Sequence, residues 1–299
     1  MGLKEAGLDR QSSFVTNVAD DVVVDDLVVC PDTDAVSYAF TGIFDDKRGW
    51  GIAGDRFSHP SKTHPWFAIG DMDRSWQRRR QRLLSRGMPL HEAIRACAVQ
   101  MGIRATIVPA TNSEVRTRIV SRGTALGFQE WLVRDGARMQ VDEMGLAGID
   151  DAEPSPGVLP AIEEASVIVI APSSPAASIR PIISVRGVTE ALAQRRDIVV
   201  AVSPIASKLP LVLERDQRRA HARAVLMEAV GIPHEPIGVA RSYRRFISRF
   251  VLDRADGELE KDVASLDVDV RTAPTVGSTP QARAELLSAV LDQSWLATG

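Results

Sequence analysis

The sequence predicts an α/β protein in which a doubly wound parallel sheet carries a mixed helical and β insertion. Three observations support this. Short β-branched runs recur at 14–18, 167–170 and 198–202, and the latter two are continuously apolar rather than alternating. Strands buried on both faces of a parallel sheet have that pattern. Between the last two runs, 179–196 has helical spacing, with Ile182, Ile183, Val188, Leu192 and Ala193 on one side. That makes a βαβ unit, whose crossover is expected to be right-handed. A further helix over 216–230 ends in Gly231-Ile232-Pro233, a stop signal.

The remaining elements follow in order. The first strand gives way to acidic residues and a short turn about Cys30-Pro31-Asp32-Thr33-Asp34. The stretch 71–101 reads as two helices broken at Gly87-Met88-Pro89, followed by strands around 106–108, 118–121 and 128–134. Residues 71–134 are therefore read as the insertion. Residues 154–160 form a loop rather than a linker, so the chain 1–299 is expected to be one domain. The tail reads as strands at 249–252 and 268–271, then a helix over 279–295.

Composition excludes several classes. The chain has 299 residues, 44% hydrophobic and 25% charged, with a net charge of -3. Without a basic excess, neither nucleic acid nor a membrane surface is expected as the main partner. No apolar stretch approaches the ~20 residues that span a bilayer, and no signal-peptide pattern opens the sequence. Cys30 and Cys97 lie in apolar contexts without a partner motif and read as buried thiols, consistent with a cytoplasmic protein. The five histidines show no zinc-ligand spacing.

Ligands of an open parallel sheet bind at the carboxyl ends of its strands. The first strand ends Asn17-Val18-Ala19-Asp20-Asp21, with Asp25-Asp26 and then Asp32 and Asp34 following. Clustered carboxylates suit a hard cation such as magnesium and its phosphates, and equally suit solvated turns and caps. The run ending at Ile170 continues Ala171-Pro172-Ser173-Ser174-Pro175, with Ser178 beyond. This is either a phosphate cradle at a helix N-terminus or a simple N-cap. The next strand ends Val202-Ser203-Pro204-Ile205, with Lys208 following; two such ends could outline a nucleotide diphosphate site. Arg78-Arg79-Arg80 with Arg82 is the one strong basic run and reads as a solvated helix face, with Arg80 singled out below. Trp131 could stack on a flat ring or belong to the core.

Seven segments, in order, resemble the signatures of one family. Pro31-Asp32-Thr33-Asp34-Ala35-Val36-Ser37-Tyr38 resembles PDLDTVxY, and Gly49-Trp50-Gly51 resembles GWG. Gly70-Asp71-Met72-Asp73, with Arg80, resembles GDxDxxxHxxR. Phe128-Gln129-Glu130-Trp131-Leu132-Val133-Arg134 resembles FQEWxVR, and Pro156-Gly157-Val158 with Ala161-Ile162 resembles PGVxxAI. Ala171-Pro172-Ser173-Ser174-Pro175 with Ser178-Ile179 resembles APSNPxxSI, and Val202-Ser203-Pro204-Ile205 resembles VSPI. The family is the 2-phospho-L-lactate transferases of coenzyme F-420 biosynthesis.

The resemblance implies a Rossmann-like sheet, magnesium, and a likeness to enzymes that commonly form homodimers. It implies transfer of phospholactate or phosphoenolpyruvate from a guanosine-diphospho donor to the ribityl hydroxyl of the deazaflavin Fo, with GMP leaving. It assigns Asp20, Asp21 and Asp34 to the metal and Asp32 and Asp34 to catalysis. It assigns Asn17, Asp71, Asp73, Arg80, Trp131, Ser173, Ser174, Ser178 and Lys208 to the substrates. On this reading Asp34→Asn abolishes transfer and leaves the fold intact. The chain departs from the pattern at Ala19, Gln77, Asn112 and Ser174 and in Ser207-Lys208-Leu209-Pro210. A non-catalytic nucleotide- or sugar-nucleotide-binding regulator is the alternative that Gln77 and Ser174 suit. Met1-Gly2-Leu3-Lys4-Glu5 resembles the end of the helix that follows the family's glycine loop, so that loop and its strand are expected upstream of Met1.

Overall fold

The computed structural model describes residues 7–276, 279–292 and 295; Met1 to Glu5, where the end of a helix was expected, lies outside them. The chain divides into two compact units, one reaching to Val158 and the other starting at Leu159.

In the first unit, β1 (Ser13–Thr16) pairs in parallel with β4 (Thr106–Pro109), in register from Ser13 with Thr106 to Thr16 with Pro109. β2 (Val22–Val24) and β3 (Leu27–Val29) form an antiparallel hairpin. Its two-residue turn is Asp25-Asp26, with φ of 50° and 63°. Such turns need left-handed backbone at both positions, which Asp tolerates better than most residues. α1 (Pro31–Thr41) follows, where the sequence suggested only a turn. Pro31 at its first position and Asp32 and Asp34 in its first turn are helix-start features, and they favour the positive end of the helix dipole.

α2 (Asp71–Leu84) and α3 (Leu90–Gln100) break where Gly87-Met88-Pro89 predicted. Phe40 of α1, Ile94 and Ala98 of α3, and Ile107 of β4 share one core cluster. β5 (Arg116–Ser121), β6 (Thr124–Gly127) and β7 (Glu143–Ala147) make an antiparallel sheet in the order β6-β5-β7. The strand expected over 128–134 is instead a π-helical turn, Glu130–Arg134. Local bonds override β-propensity there. Glu130 accepts from the Gly127 amide at 2.8 Å and pairs with Arg134 at 2.9 Å, a helical spacing.

In the second unit, β8 (Ile168–Ile170), β9 (Val199–Val202), β10 (Arg249–Asp253) and β11 (Asp269–Ala273) form an all-parallel sheet in chain order. Every residue of β9 and β10 is buried, as the apolar Val199–Val202 run and the Phe250-Val251-Leu252 centre of β10 require. The helix expected over 179–196 is two pieces. Pro175–Ile179 runs into Arg180–Ile183, and α4 (Val188–Gln194) starts after Gly187. α5 (Glu214–Ala229), α6 (Pro236–Tyr243) and α7 (Pro280–Leu291) complete the unit. Val200, Val202, Val251, Ala273, Val290 and Trp295 pack as its core. The α/β class with parallel strands is as the sequence indicated.

The start of α2 depends on one close approach. Asp55 accepts from the amides of Met72 at 2.9 Å and Asp73 at 3.0 Å, satisfying donors the helix itself cannot. A Cβ on Gly70 would lie 2.1 Å from the Asp55 Oδ2. Gly70→Ala is therefore expected to push Asp55 off the helix end and to cost about 1–3 kcal/mol. Thermal melting of the variant checks this; an unchanged melting temperature would mean the loop yields freely.

Candidate active site

The carboxyl end of β1 leads into a buried cluster of acidic residues. Past Thr16, Asn17 turns the chain by accepting from the Ala19 amide at 2.8 Å, and its Nδ2 donates to Asp32 Oδ2 at 3.0 Å. Thr16 and Thr33 hydroxyls meet at 2.8 Å, fixing the strand end against the first turn of α1. Asp20 accepts from the Thr117 hydroxyl at 3.2 Å, and its carbonyl accepts from Gln129 at 3.1 Å. Asp20 and Asp21 are each 6% exposed, whereas Asp32 is half-buried and is the more accessible carboxylate.

Burial raises the proton affinity of these acids. The Asp20 carboxyl is raised well above the usual range by desolvation and then by the Asp32 charge, against which the Thr117 hydrogen bond works. Asp21 is pushed up to about 8 by burial, although Cys30 and the Arg80 charge oppose the rise. Its Oδ1 is buried without a hydrogen-bond partner. Asp32 is raised by burial despite the bond from Asn17.

Asp34 differs, and here the expectation needs correcting. Its two oxygens take Arg80 Nη1 at 2.6 Å and Nη2 at 3.1 Å, and Arg80 also donates to the Val28 carbonyl at 2.8 Å. The pair is buried on both sides. Arg80 belongs to this buried pair rather than to the solvated face read from the basic run. Beside it, Asp73 accepts from the Tyr38 hydroxyl at 2.6 Å and from Gln77 at 2.8 Å. Burial and the Asp34 charge push Asp73 up to about 7. Asp71 lies apart at the surface, where His59 and the Ser58 amide hold its carboxyl below the usual range. Trp131 is enclosed, with its Nε1 donating to the Met139 carbonyl at 2.9 Å, so of the two readings offered for it the core one describes its surroundings.

The other expected residues belong to the second unit. Ser174 caps the segment Pro175–Ile179 by accepting from the Ala177 amide at 3.2 Å. Ser173 and Ser178 are half-buried beside it. Lys208 pairs with Glu258 at 2.8 Å, and its amide donates to Asp256 at 3.2 Å. Asp253 and Asp256, which the sequence gave no reason to select, tie the loops beyond β9 and β10. Asp253 accepts from Thr275, and Asp256 accepts from Ser207. Thr117 and Gln129 were likewise missed, since they approach Asp20 only through the folded antiparallel sheet. Tyr38 was findable, because Asp34 and Tyr38 are four residues apart on a helix.

Among the described residues, no three His, Cys, Asp or Glu side chains form a metal cage. Magnesium commonly takes only one or two carboxylates, with phosphate oxygens and water completing the shell. The unpartnered Asp21 oxygen and the buried Asp20 carboxyl, raised by desolvation and the Asp32 charge, suit such a charge, whereas Asp34, engaged by Arg80, does not.

A family model described as "2-phospho-L-lactate transferase CofD" matches residues 1–279. The phosphoenolpyruvate transferase of Thermobifida fusca is 32% identical over 294 residues, covering 94% of this chain and 86% of that protein. The 2-phospho-L-lactate transferase of Methanosarcina barkeri is 32% identical over 295 residues, covering 97% and 92%. A Bacillus halodurans protein of the upf0052 family shares the fold in two crystal structures at 15% identity, with TM-scores of 0.60 and 0.57. Each alignment covers 98% of this chain and 96% of that one.

Two outcomes follow from the site's electrostatics. Folded Asp21 holds its proton to about pH 8, whereas the unfolded carboxyl loses it near the ordinary aspartate value of 3.8. The folded state thus binds more protons between those values, so stability is greatest below the window and falls as pH rises through it. Melting temperatures at about pH 5 and about pH 8.5 should show this fall, and Asp21→Asn should flatten it. An equal slope in the variant would assign the effect elsewhere. The second concerns the buried pair: Asp34→Asn leaves Arg80 uncompensated and should cost about 3–5 kcal/mol. This replaces the expectation of an intact fold, and denaturant titration measures it.

Proposed function

Since the chain belongs to the 2-phospho-L-lactate transferase CofD family, the phospho-group transferases of coenzyme F-420 biosynthesis, we propose that it esterifies the deazaflavin Fo. The donor is phospholactate or phosphoenolpyruvate joined through its own phosphate to GMP, the two acids being those carried in the relatives' names. The terminal ribityl oxygen of Fo bonds to the phosphorus bearing the acid. The bond from that phosphorus to the GMP phosphate breaks, GMP leaves as the anion, and the hydroxyl proton passes to a carboxylate. A phosphodiester remains.

The carrying observation is the pairing of the deeply buried Asp20 and Asp21 with a half-buried Asp32 held by Asn17. Phosphoryl transfer asks for positioning and charge neutralisation more than for a protein nucleophile. Asp20 and Asp21 would hold magnesium, which supplies positive charge to the transferring phosphoryl oxygens when bound. Asp32 takes the hydroxyl proton; its affinity for protons is raised by burial, as a base working near neutrality requires. Asn17 aims that carboxylate, and Arg80 through Asp34 holds the helix turn that carries it. Asp71, Asp73, Ser173, Ser174, Ser178 and Lys208 remain candidates for substrate contacts, and the same reading makes the enzyme a homodimer in solution.

The test incubates the protein with Fo, magnesium and each donor in turn, and reads the product by mass. Asp32→Asn keeps the side-chain shape and should lower kcat by roughly 100-fold or more, with melting temperature little changed. Full turnover by that variant would remove Asp32 from the reaction. Guanosine nucleotide binding without turnover of Fo by wild type would favour the non-catalytic regulator.

A further inference from the structure

Between α1 and α2, residues 44–70 have no regular element beyond one bridge joining Phe44 and Ile52. Irregular loops of such length inside a compact unit are usually functional. This one is closely tied down. Asp45 accepts from the amides of Lys47 and Arg48, each at 2.9 Å, and pairs with Arg48 at 3.1 Å. Arg48 Nη2 donates to the Ile52 carbonyl at 2.6 Å. Farther along, Asp55 binds the start of α2, the Arg56 carbonyl accepts from the Asp71 amide, and Arg74 holds the His59 carbonyl at 2.9 Å.

This rigid loop displays aromatic surface. Trp50 stands between Gly49 and Gly51, whose φ values of 78° and 68° turn the backbone in a way other residues resist. The Arg48 guanidinium lies 5.1 Å from the Trp50 ring centroid and 4.9 Å from that of Phe57. The two rings meet edge to face at 5.8 Å. Yet Trp50 is 43% exposed and Phe57 42%. A fixed, half-open indole backed by a cation is a stacking surface for a flat ring.

Its position says which ring. A Cβ on Gly51 would lie 3.9 Å from Asp73 Oδ2, so the corner carrying Trp50 abuts Asp73. Asp73 binds Tyr38, which lies six residues beyond Asp32 on α1, about 9 Å of helix. The Trp50 corner is thus joined, through Asp73 and Tyr38, to the helix that carries Asp32. We infer that Trp50, backed by Arg48 and Phe57, stacks the planar heteroaromatic ring of the acceptor, while the acceptor's polyol arm runs along α1 toward Asp32. The inference rests on the acceptor reading under Proposed function.

The test measures binding of Fo by its own fluorescence and of GDP by calorimetry, for wild type, Trp50→Ala and Trp50→Phe. Trp50→Ala should weaken Fo by roughly 10- to 100-fold, Trp50→Phe should weaken it less, and GDP affinity should not move. Melting temperature guards against unfolding, and the retained ring of Trp50→Phe keeps the comparison meaningful if Trp50→Ala is unstable. Fo bound equally by wild type and Trp50→Ala overturns the inference alone. A loss confined to GDP overturns it in favour of the guanine ring. Failure of wild type to bind Fo overturns the acceptor reading and the inference together.

Discussion

The first unit is organised around the buried pair of Arg80 and Asp34. Arg80 comes from α2, Asp34 from the first turn of α1, and the Val28 carbonyl that shares the guanidinium from β3. Removing two charges from water is costly, and the cost is offset only by close geometry and further hydrogen bonds. The bidentate contact and the carbonyl meet that demand, so the three elements have one mutual arrangement. The pair also sets the local field. The Arg80 charge works against burial at both Asp21 and Cys30, so acidic groups can collect at the end of β1 without a cation of their own.

Two acids close in sequence show what this arrangement accomplishes. Asp25 lies in the exposed hairpin turn and accepts from Ser61, Lys62, Thr63 and Arg74, which hold its carboxyl well below the usual range. It is a structural acid, satisfied by its neighbours. Asp21, four residues earlier, is buried with one oxygen unpartnered and holds its proton. Burial at Asp21 outweighs what Cys30 and the Arg80 and Arg116 charges return, so folding with an ionised Asp21 is disfavoured. Such a residue is understandable where a ligand completes the site, because a site already satisfied by the protein has little affinity left for a cation.

What could be read in the sequence follows from the range of the interactions. β9 and β10 are legible because every residue is buried, so the pattern needs no knowledge of neighbours. The break between α2 and α3 is legible because Gly and Pro act locally. The acidic end of β1 was legible as a place but not as a set of roles. Asp32 and Asp34 looked equivalent in sequence; only the fold brings Arg80, 46 residues away, onto one of them. The start of α1 was missed because Pro31 and two acids resemble a turn as much as a helix entry. Trp131 was misplaced as a strand residue because its segment is rich in β-formers, and the bonds that curl it are made by Glu130 to Gly127 and Arg134. The role of Asp55 carried no local signal, since its partners are the amides of a helix 17 and 18 residues on.

Gln77 of α2 belongs to the same buried network. It occupies the place of a histidine in the motif this chain resembles, one helical turn after Asp73, and donates to that carboxyl at 2.8 Å. A histidine there could carry a proton and hold Asp73 ionised. An amide cannot. With Gln77 in place, burial and the Asp34 charge prevail, and Asp73 titrates near neutrality at about 7. The buried layer beneath α1 then holds one fixed cation, Arg80, with Asp34 as its counter-ion, and Asp73 is neutral in a large share of molecules at neutral pH. An ionised Asp73 would add a second negative charge beside Asp34 and Tyr38, raising the cost of burying the layer. The glutamine thus lets the network under the acidic cluster stay close to charge balance, and leaves the unbalanced carboxylates where β1 ends.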